Sequence, residues 1–369
     1  MIFCKYEFTI ELKEDAELPW YKGSTFRGVM GHALKRVVCA LRNQECVQCV
    51  LRNNCTYALV FETVHAVPLP KGSRVSAPPH PMVLEPPLTT RCKFSKGERL
   101  TCTLLLFGEI NANLAYFIYA FDQMGEMGIG KKVTDGERAG FKLISVTASH
   151  GENENFLIYD AQDQKIRHQP HGIPFSYDSF TPGFSQESFT PGTDGDSTVG
   201  EELKYNQKSP WTNKSVTGRN LAIDIVTPLR IISRDAPVAH LPFSVLMRSI
   251  IRRNTALLNV YGYGEPGLDY PAMIEAARDV TVIENNLKWL DWKRYSSRHD
   301  KKMLMGGLTG RVIYEGDFTP FIAMLNMAEA VHAGKNTTFG LGKIRHMDCS
   351  IDNMNNGHAL AGTTNNESK

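Results

Sequence analysis

The stretch GGLTGRVIYEGDFTPFIAMLNMAEAVHAGKNTTFGLGKIRH, residues 306–346, contains four successive elements of one fold. GLTGRVIYEG predicts a strand and PFIAMLNMAEAVHAG a helix, and the glycine-rich loop KNTTFGLG leads into the strand KIRHMDCS. Upstream, LAIDIVTPLRII predicts a strand and PFSVLMRSIIRRNTALL a helix. The second half of the chain therefore predicts the order strand, helix, strand, helix, glycine-rich loop, strand.

The first half repeats this order of elements. FCKYEFTIEL alternates like a strand, and STFRGVMGHALKRVVCALR has helical periodicity. RLTCTLLLFG then predicts a strand, NANLAYFIYAFDQM a helix, GEMGIGKKVTDGERAG a glycine-rich loop and FKLISVTA a strand. The duplication predicts an α+β protein of tandem ferredoxin-like (RRM-like, βαββαβ) domains, each with a glycine-rich loop. The apolar face expected for the first helix consists of Phe26, Met30, Ala33, Val37 and Leu41.

Composition divides the chain into four parts. Residues 1–149 form the expected N-terminal domain, and residues 219–350 form the C-terminal domain. Between them, residues 150–218 are rich in Gly, Ser, Pro, Asp and Asn and include the echo DSFTPGFSQESFTPG at 178–192. This composition supports little packed core and predicts a partly disordered connector with room for a hairpin. Residues 351–369 are expected to be a disordered tail.

The distribution of charge permits an RNA partner that the net charge of +2 conceals. Residues 1–149 carry 18 Lys/Arg and 14 Asp/Glu, and residues 219–349 carry 17 Lys/Arg and 13 Asp/Glu. The connector, in contrast, carries 5 Lys/Arg and 10 Asp/Glu. Two mildly basic bodies thus flank an acidic connector. The longest apolar or aromatic run, LAYFIYAF at 114–121, is far too short for a membrane span, and the early charges argue against a signal peptide, so we expect a cytoplasmic protein.

Neither glycine-rich loop fits a nucleotide-binding P-loop. In GEMGIGKK the glycine spacing is right, but Lys132 stands where Ser or Thr must ligate magnesium. In HAGKNTT, Glu329 replaces the first glycine and Asn336 follows the lysine. These departures exclude a P-loop NTPase.

The second glycine-rich loop offers two interpretations. Gly340 and Gly342 lack side chains, so a phosphate chain could approach the main-chain N–H groups between Lys335 and Lys343. The alternative is a tight turn with solvated lysines.

Residues 306–346 look like the C-terminal signature of the RAMP superfamily of CRISPR-associated RNA-binding proteins. FRGVMGHALKR followed by C-x6-C-x2-C-x5-C-x5-FE resembles one branch, the CRISPR repeat-processing endoribonucleases, which cut a long precursor transcript into guide RNAs. The resemblance covers roughly residues 20–62 and 220–347. It implies binding and cleavage of CRISPR repeat RNA. Two alternatives are a non-catalytic RAMP subunit that binds guide RNA among the subunits of a CRISPR effector complex, and a zinc-stabilised RNA-binding protein outside CRISPR immunity.

Four of the eight cysteines, Cys39, Cys46, Cys49 and Cys55, fall within 17 residues. A disulfide cluster, a metal site and chance are the possible explanations, and a reducing cytoplasm favours metal. Four thiolates can hold Zn²⁺ tetrahedrally and leave no open position, so the spacing predicts a structural zinc and no catalytic metal. The alternatives are a redox switch and a lost metal site.

RNA cleavage without metal needs a base for the 2′-hydroxyl proton, an acid for the leaving 5′-oxygen and a cation near the phosphorane. The products are then a 2′,3′-cyclic phosphate and a 5′-hydroxyl. His32 is the best-placed base, one turn after Gly28 on the first helix and on the same polar side as Lys35. Tyr21 completes the predicted catalytic trio. The alternative is an ordinary surface histidine on a basic helix, and His299 is the rival catalytic residue.

A second constellation, KWLDWKRYSSRHDKK at 288–302, interleaves aromatic and basic residues. Trp289 and Trp292 could stack on unpaired bases, or they could belong to the core. The cations predicted to hold phosphates are Lys293, Arg294 and Arg298. Arg27 is expected to contact RNA, with bracing of the glycine-rich loop as the alternative. Solvation is the expectation for the basic helix face of Arg248, Arg252 and Arg253.

Overall fold

The computed structural model describes residues 1–42, 44–132, 136–149, 155–167, 173–174, 180, 219–233, 236–237, 240–296 and 301–349. The predicted tail at 351–369 and most of the predicted connector lie outside these residues. Within the described parts of the chain, no helix is long and apolar enough to cross a membrane.

The first body is an antiparallel sheet packed against helices. Its strands are β1 (Ile2–Leu12), β2 (Met82–Glu85), β3 (Arg99–Phe107), β4 (Phe141–Ser149), β5 (Asn155–Asp160) and β6 (Lys165–Ile166). Its helices are α1 (Gly23–Val38), α2 (Thr56–Phe61), α3 (Thr63–Ala66) and α4 (Leu114–Met127). The described strands follow the spatial order β6-β5-β4-β1-β3-β2. Short pairs join Ala16–Glu17 to Lys93–Phe94 and Ile129–Lys132 to Arg138–Ala139, and Ile173–Pro174 pairs with β1.

The second body repeats this arrangement with fewer strands. Its strands are β7 (Asn220–Leu229), β8 (Thr281–Asn285), β9 (Lys288–Ser296), β10 (Lys301–Glu315) and β11 (Ile344–Asp348). Its helices are α5 (Phe243–Tyr261), α6 (Tyr270–Ala276) and α7 (Ile322–Val331). The described order is β8-β10-β7-β11, and β9 also pairs with β10. Ile232–Ser233 and Ala236–Pro237 form a separate small pair.

Both bodies place their first strand in the same position within the sheet. In each, the first strand lies between the strand that precedes the last long helix and the strand that follows it, and all these pairs are antiparallel. The helices of each body also contact one another, α1 with α4 and α5 with α7. The mixed α+β class expected from the sequence is confirmed, and the structure shows that the sheets are antiparallel.

Two boundaries differ from the sequence predictions. Helix α1 ends at Val38, so Leu41 lies beyond it and is 40% exposed instead of continuing the apolar face of Phe26, Met30 and Ala33. In addition, β5 pairs with β4, and this pair extends the first sheet into residues assigned to the connector. The alternating segment NFLIYD therefore belongs to the first body.

The two bodies share a buried apolar interface because the first sheet is apolar on both faces. Side chains of a strand alternate between its faces, so Tyr6 and Phe8 pack under the helices of the first body while Phe3 points away from them. The face of Phe3 packs against α5 and α7 of the second body. This interface cluster consists of Met1, Phe3, Val83, Leu105, Phe107, Phe180, Leu257, Leu258, Ala323, Met327, Ala330 and Val331.

Candidate nucleic-acid interface

The exposed face of α1 presents a histidine beside an open backbone. His32 and Gly28 are both exposed and lie one helical turn apart. A Cβ atom built on Gly28 meets no atom within 4 Å among the described residues. Arg36 is exposed on the same helix, which contains no acidic residue. An anionic chain can therefore approach the helix backbone at Gly28 and reach the His32 side chain without steric obstruction from the described residues.

A row of alternating cations and aromatic rings, called here the cation ladder, lies beside α1 and extends to the second body; its members are Lys35, Tyr57, Phe61, Arg27 and Phe339. The Nζ atom of Lys35 lies 5.4 Å from the ring centre of Tyr57, which stacks on Phe61 at 5.2 Å. The Arg27 guanidinium lies between two rings, 4.8 Å from that of Phe61 and 4.5 Å from that of Phe339. Because Phe339 belongs to the second glycine-rich loop, Arg27 braces that loop against α1. Bracing was the alternative to the RNA contact predicted for Arg27.

Tyr21 is buried between α1 and the second glycine-rich loop and does not lie beside His32 on the surface. Its side chain is buried, and its hydroxyl donates a hydrogen bond of 2.7 Å to the carbonyl oxygen of Phe339. Burial raises the pKa of Tyr21 well above its usual value. The predicted trio of His32, Tyr21 and Lys35 is therefore not assembled at one accessible surface, because Tyr21 is committed to the contact between the bodies.

The second glycine-rich loop is packed, which corrects the expectation of free N–H groups. The amide of Gly340 donates to the carbonyl of Thr337 at 2.8 Å, and the amide of Gly342 donates to that of Pro228 at 3.1 Å. Both glycines are buried, with φ of +79° and +74°, and a Cβ atom on Gly340 would lie 2.6 Å from Pro86. Gly340 permits a close approach between the bodies, and Gly342 permits a close approach to Ala333 within the second body. They leave no open anion site at this point.

A buried network, which the sequence did not predict, holds the same loop. The Glu85 carboxylate accepts hydrogen bonds of 2.7 Å from Nε2 of His332 and of 2.7 Å from Nζ of Lys343. Nδ1 of His332 donates to the carbonyl of Leu341 at 2.9 Å. Burial disfavours the charge of Glu85, but His332 and the Lys343 ammonium outweigh burial and hold the pKa of that carboxyl well below its usual value. Lys343 is thus an ion-pair partner within the protein, and not the free phosphate contact predicted for it.

The remaining predicted cations have different environments. Lys335 is exposed, as a phosphate contact requires. Arg253 departs from the expectation of solvation, because its guanidinium donates to the carbonyls of Val331 and His332 at the end of α7. Burial lowers the pKa of Arg253 to about 10. Arg248 and Arg252 are exposed as expected.

The described parts of the aromatic and basic segment, residues 288–296 and 301–302, belong to the antiparallel pair of β9 and β10. Its two tryptophans have different surroundings: Trp289 is 37% exposed, whereas Trp292 packs against the rings of Trp20 and Tyr21. Trp292 therefore belongs to the contact between the bodies. For Lys293 and Arg294 the structure describes the backbone but not the side chains, so their predicted phosphate contacts stay predictions. Arg298 and the rival catalytic residue His299 lie outside the described residues.

The four clustered cysteines occupy the ends of short elements after α1. Cys39 follows α1, Cys46 begins the 3₁₀ turn Cys46–Gln48, Cys49 follows that turn, and Cys55 precedes α2. Burial raises the pKa of the Cys46 thiol, and the nearby Cys39 and Cys55 act in the same direction. Nevertheless, no group of three or more His, Cys, Asp or Glu side chains in the described parts of the chain is placed to hold a metal ion. The backbone brings the cysteines into one loop without arranging their sulfur atoms as a ligand set.

Two family models match separate parts of the chain. Residues 223–344 match the model described as CRISPR-associated endoribonuclease Cas6. Residues 1–171 match the model AF_1859_N, described as an N-terminal domain. The second match ends beyond β6 and so agrees with the extension of the first sheet past residue 149. Neither family model alone covers half of the chain.

Relatives cover nearly the whole chain at low sequence identity. An uncharacterized protein of Archaeoglobus fulgidus is 23% identical over 335 residues, which are 89% of this chain and 92% of that protein. The fold is similar to that of the Cas6 (TTHB231) product complex, with a TM-score of 0.51, 12% identity and coverage of 94% of this chain and 100% of that chain. Thermus thermophilus Cas6 (TTHB231) gives a TM-score of 0.49 at 11% identity, with 94% of this chain and 98% of that chain covered. Residues 223–344 are thus similar to the Cas6 family model, and the chain shares the fold of that product-complex structure.

Proposed function

We propose that this protein is an endoribonuclease that binds CRISPR repeat RNA and cuts the precursor transcript into guide RNAs. The observation that carries the proposal is the match of residues 223–344 to the Cas6 endoribonuclease family model. The exposed His32 beside the open backbone of Gly28 gives that activity a candidate site on the first body. Its basic surroundings suit a polyanionic substrate.

The proposed cleavage uses the 2′-hydroxyl of the RNA as the nucleophile. His32 removes the hydroxyl proton, the 2′-oxygen attacks the adjacent phosphorus atom, and the bond from phosphorus to the 5′-oxygen breaks. The departing 5′-oxygen takes up a proton from water, and His32 then releases its proton to water, which leaves a 2′,3′-cyclic phosphate and a 5′-hydroxyl. Lys35 supplies a positive charge on the same helix for the phosphorane. Because the nucleophile belongs to the substrate, the step requires no metal-bound water.

The proposed RNA-binding surface extends from α1 to the second body. Lys335 is exposed, and Lys293, Arg294 and Arg298 are retained as proposed phosphate contacts. The packed glycine-rich loop joins the two bodies and positions this surface. The common position of the first strand in both sheets supports the finer interpretation of the fold as tandem ferredoxin-like units.

We further propose that Cys39, Cys46, Cys49 and Cys55 hold a structural Zn²⁺. Four thiolates are a complete donor set for zinc, and Cys39 and Cys55 lie close enough to Cys46 to contribute to the raised pKa of its thiol, which supports a common loop site. Metal binding would require the sulfur atoms to move closer together. The zinc would order the loop after α1 and take no part in cleavage.

The test is cleavage of end-labelled repeat RNA by the wild type, His32→Ala, His299→Ala and His65→Ala. His65 is exposed on α3 and serves as the matched control. We expect a single cut by the wild type and His65→Ala, with unchanged binding but no cut by His32→Ala. Loss of the cut only in His299→Ala would move the catalytic role to that residue. Tight binding without a cut by the wild type would instead favour a non-catalytic guide-RNA-binding subunit.

A further inference from the structure

His80 lies in a proline-rich segment immediately before β2, next to the cation ladder, and its imidazole has a fixed orientation. The Nδ1 atom is 2.8 Å from the carbonyl oxygen of Val60 and 2.8 Å from Oγ1 of Thr63. A carbonyl oxygen only accepts hydrogen bonds, and the Thr63 hydroxyl donates to the carbonyl of Leu59 at 2.9 Å. Nδ1 therefore carries the proton, and Nε2 holds an accepting lone pair.

The electrostatic surroundings keep this imidazole neutral. Burial, and then the charge of Arg27, lower the pKa of His80 to about 4, against the opposing hydrogen bond to Val60. Arg253 acts in the same direction as Arg27. The side chain is only half-buried, and within the described part of the chain its Nε2 atom has no hydrogen-bond partner. His80 thus presents a neutral acceptor within the electrostatic influence of Arg27.

This combination matches the chemistry of a ribonucleotide. The charge of Arg27 attracts a phosphate, whereas the Nε2 lone pair requires a donor such as a ribose 2′-hydroxyl. DNA contains the phosphate but lacks the 2′-hydroxyl. An acceptor that does not become protonated near neutral pH is therefore suited to distinguish RNA from DNA at this position.

We propose that His80 is a specificity-determining residue whose Nε2 atom accepts a hydrogen bond from a 2′-hydroxyl of the bound RNA, next to a phosphate attracted by Arg27. This inference rests on the proposed RNA-processing function and assigns it a ribose-recognition point distinct from His32. The fixed Nδ1 contact with Val60 sets the direction of the lone pair. Thr63, which contacts the same ring nitrogen, is a positioning residue.

Two substitutions separate the two ring nitrogens. His80→Asn can keep a donor near Val60 but has no group at the position of Nε2, whereas His80→Gln can place an acceptor there. His65→Asn, on the exposed side of α3, is the matched control. Thermal unfolding of each variant shows whether the fold is retained.

The experiment measures the affinity for repeat RNA that carries a 2′-deoxy nucleotide at the cut site, so that no variant cleaves it. A second 2′-deoxy nucleotide is then moved along the neighbouring positions. We expect one position to weaken wild-type binding by about two- to tenfold, the range for a single hydrogen bond. His80→Asn should bind the singly substituted RNA with this reduced affinity, and a second 2′-deoxy nucleotide at the sensitive position should not reduce its affinity further. His80→Gln and His65→Asn should respond to the second 2′-deoxy nucleotide as the wild type does.

The assignment would be overturned if, at every position tested, a 2′-deoxy nucleotide weakened RNA binding by the wild type and by His80→Asn to the same extent. It would also be overturned if His80→Asn bound the singly substituted RNA as tightly as the wild type does. Wild-type protein that binds the fully ribose repeat without cutting it would overturn the proposed nuclease, while the comparison with His80→Asn would still decide the role of His80. Failure of the wild type to bind the RNA would overturn both proposals.

Discussion

Removing the Glu85 carboxylate tests the network between the two bodies. Glu85→Ala leaves the Lys343 ammonium, whose side chain is 15% exposed, and the fully buried His332 without their shared partner. His332 cannot reach water without disturbing the packed glycine-rich loop, because Gly340 lies against Leu84 and Pro86, and only a small part of the Lys343 side chain contacts water.

The expected cost follows from the burial of Glu85 and His332 and from the low exposure of Lys343. Removing one partner of a buried ion pair typically costs about 3–5 kcal/mol, because an uncompensated charge remains. Glu85→Gln retains an accepting oxygen but loses the charge, and a hydrogen bond to a charged group is worth about 1.5–3 kcal/mol. We therefore expect the free energy of unfolding to fall in the order wild type, Glu85→Gln, Glu85→Ala.

Equilibrium unfolding in urea at pH 7, followed by tryptophan fluorescence and circular dichroism, measures this free energy. Glu137→Ala is the matched control, because Glu137 is exposed. It should lie within about 0.5 kcal/mol of the wild type, as surface substitutions usually do. If Glu85→Ala were also within about 1 kcal/mol of the wild type, the buried network would not hold the bodies together.

Three further predictions follow from the same contacts. Because the folded-state pKa of Glu85 is depressed, its stabilisation is fully present above the unfolded-state pKa of about 4.3 and is lost progressively as the pH falls towards the much lower folded-state pKa. The difference in the free energy of unfolding between the wild type and Glu85→Gln should therefore start to narrow below about pH 4.3 and keep narrowing at lower pH. Gly340→Ala should unfold at a lower temperature than Gly28→Ala, since a Cβ atom strikes Pro86 at Gly340 but no described atom at Gly28; equal melting temperatures would contradict this. Purified protein should contain about one zinc per chain by elemental analysis, and Cys49→Ser should lose it while the control Cys92→Ser keeps it; a metal-free wild type would refute the zinc site.

Local sequence patterns predicted most of the helices and strands, because these elements are determined largely by residues that are close together in the sequence. The alternation of FCKYEFTIEL gave β1, and the helical spacing of Phe26, Met30 and Ala33 gave the buried face of α1. The end of α1 was placed too late, because Val37 and Leu41 continue the apolar spacing although the helix ends at Val38.

The contacts between the bodies could not be predicted in this way, because they join residues far apart in the chain. Glu85 and Lys343 are separated by 258 positions, and Tyr21 and Phe339 by 318. A glycine-rich loop has the same sequence whether its N–H groups bind phosphate or pack internally, so the interpretation of Gly340 required its neighbours. A charged residue at the end of the apolar segment MVLE was the available indication that Glu85 would need a buried partner.

The most direct test of the central claim is the chemistry of the cut itself. End-labelled repeat RNA is incubated briefly with the wild type in EDTA, alongside the same RNA with a single 2′-deoxy nucleotide at the cut site. We predict one cut in the all-ribose RNA, a 2′,3′-cyclic phosphate on the upstream product, and no cut in the deoxy RNA despite binding. Cleavage of the deoxy RNA at the same position, or an upstream product with a free 3′-hydroxyl, would contradict attack by the 2′-hydroxyl.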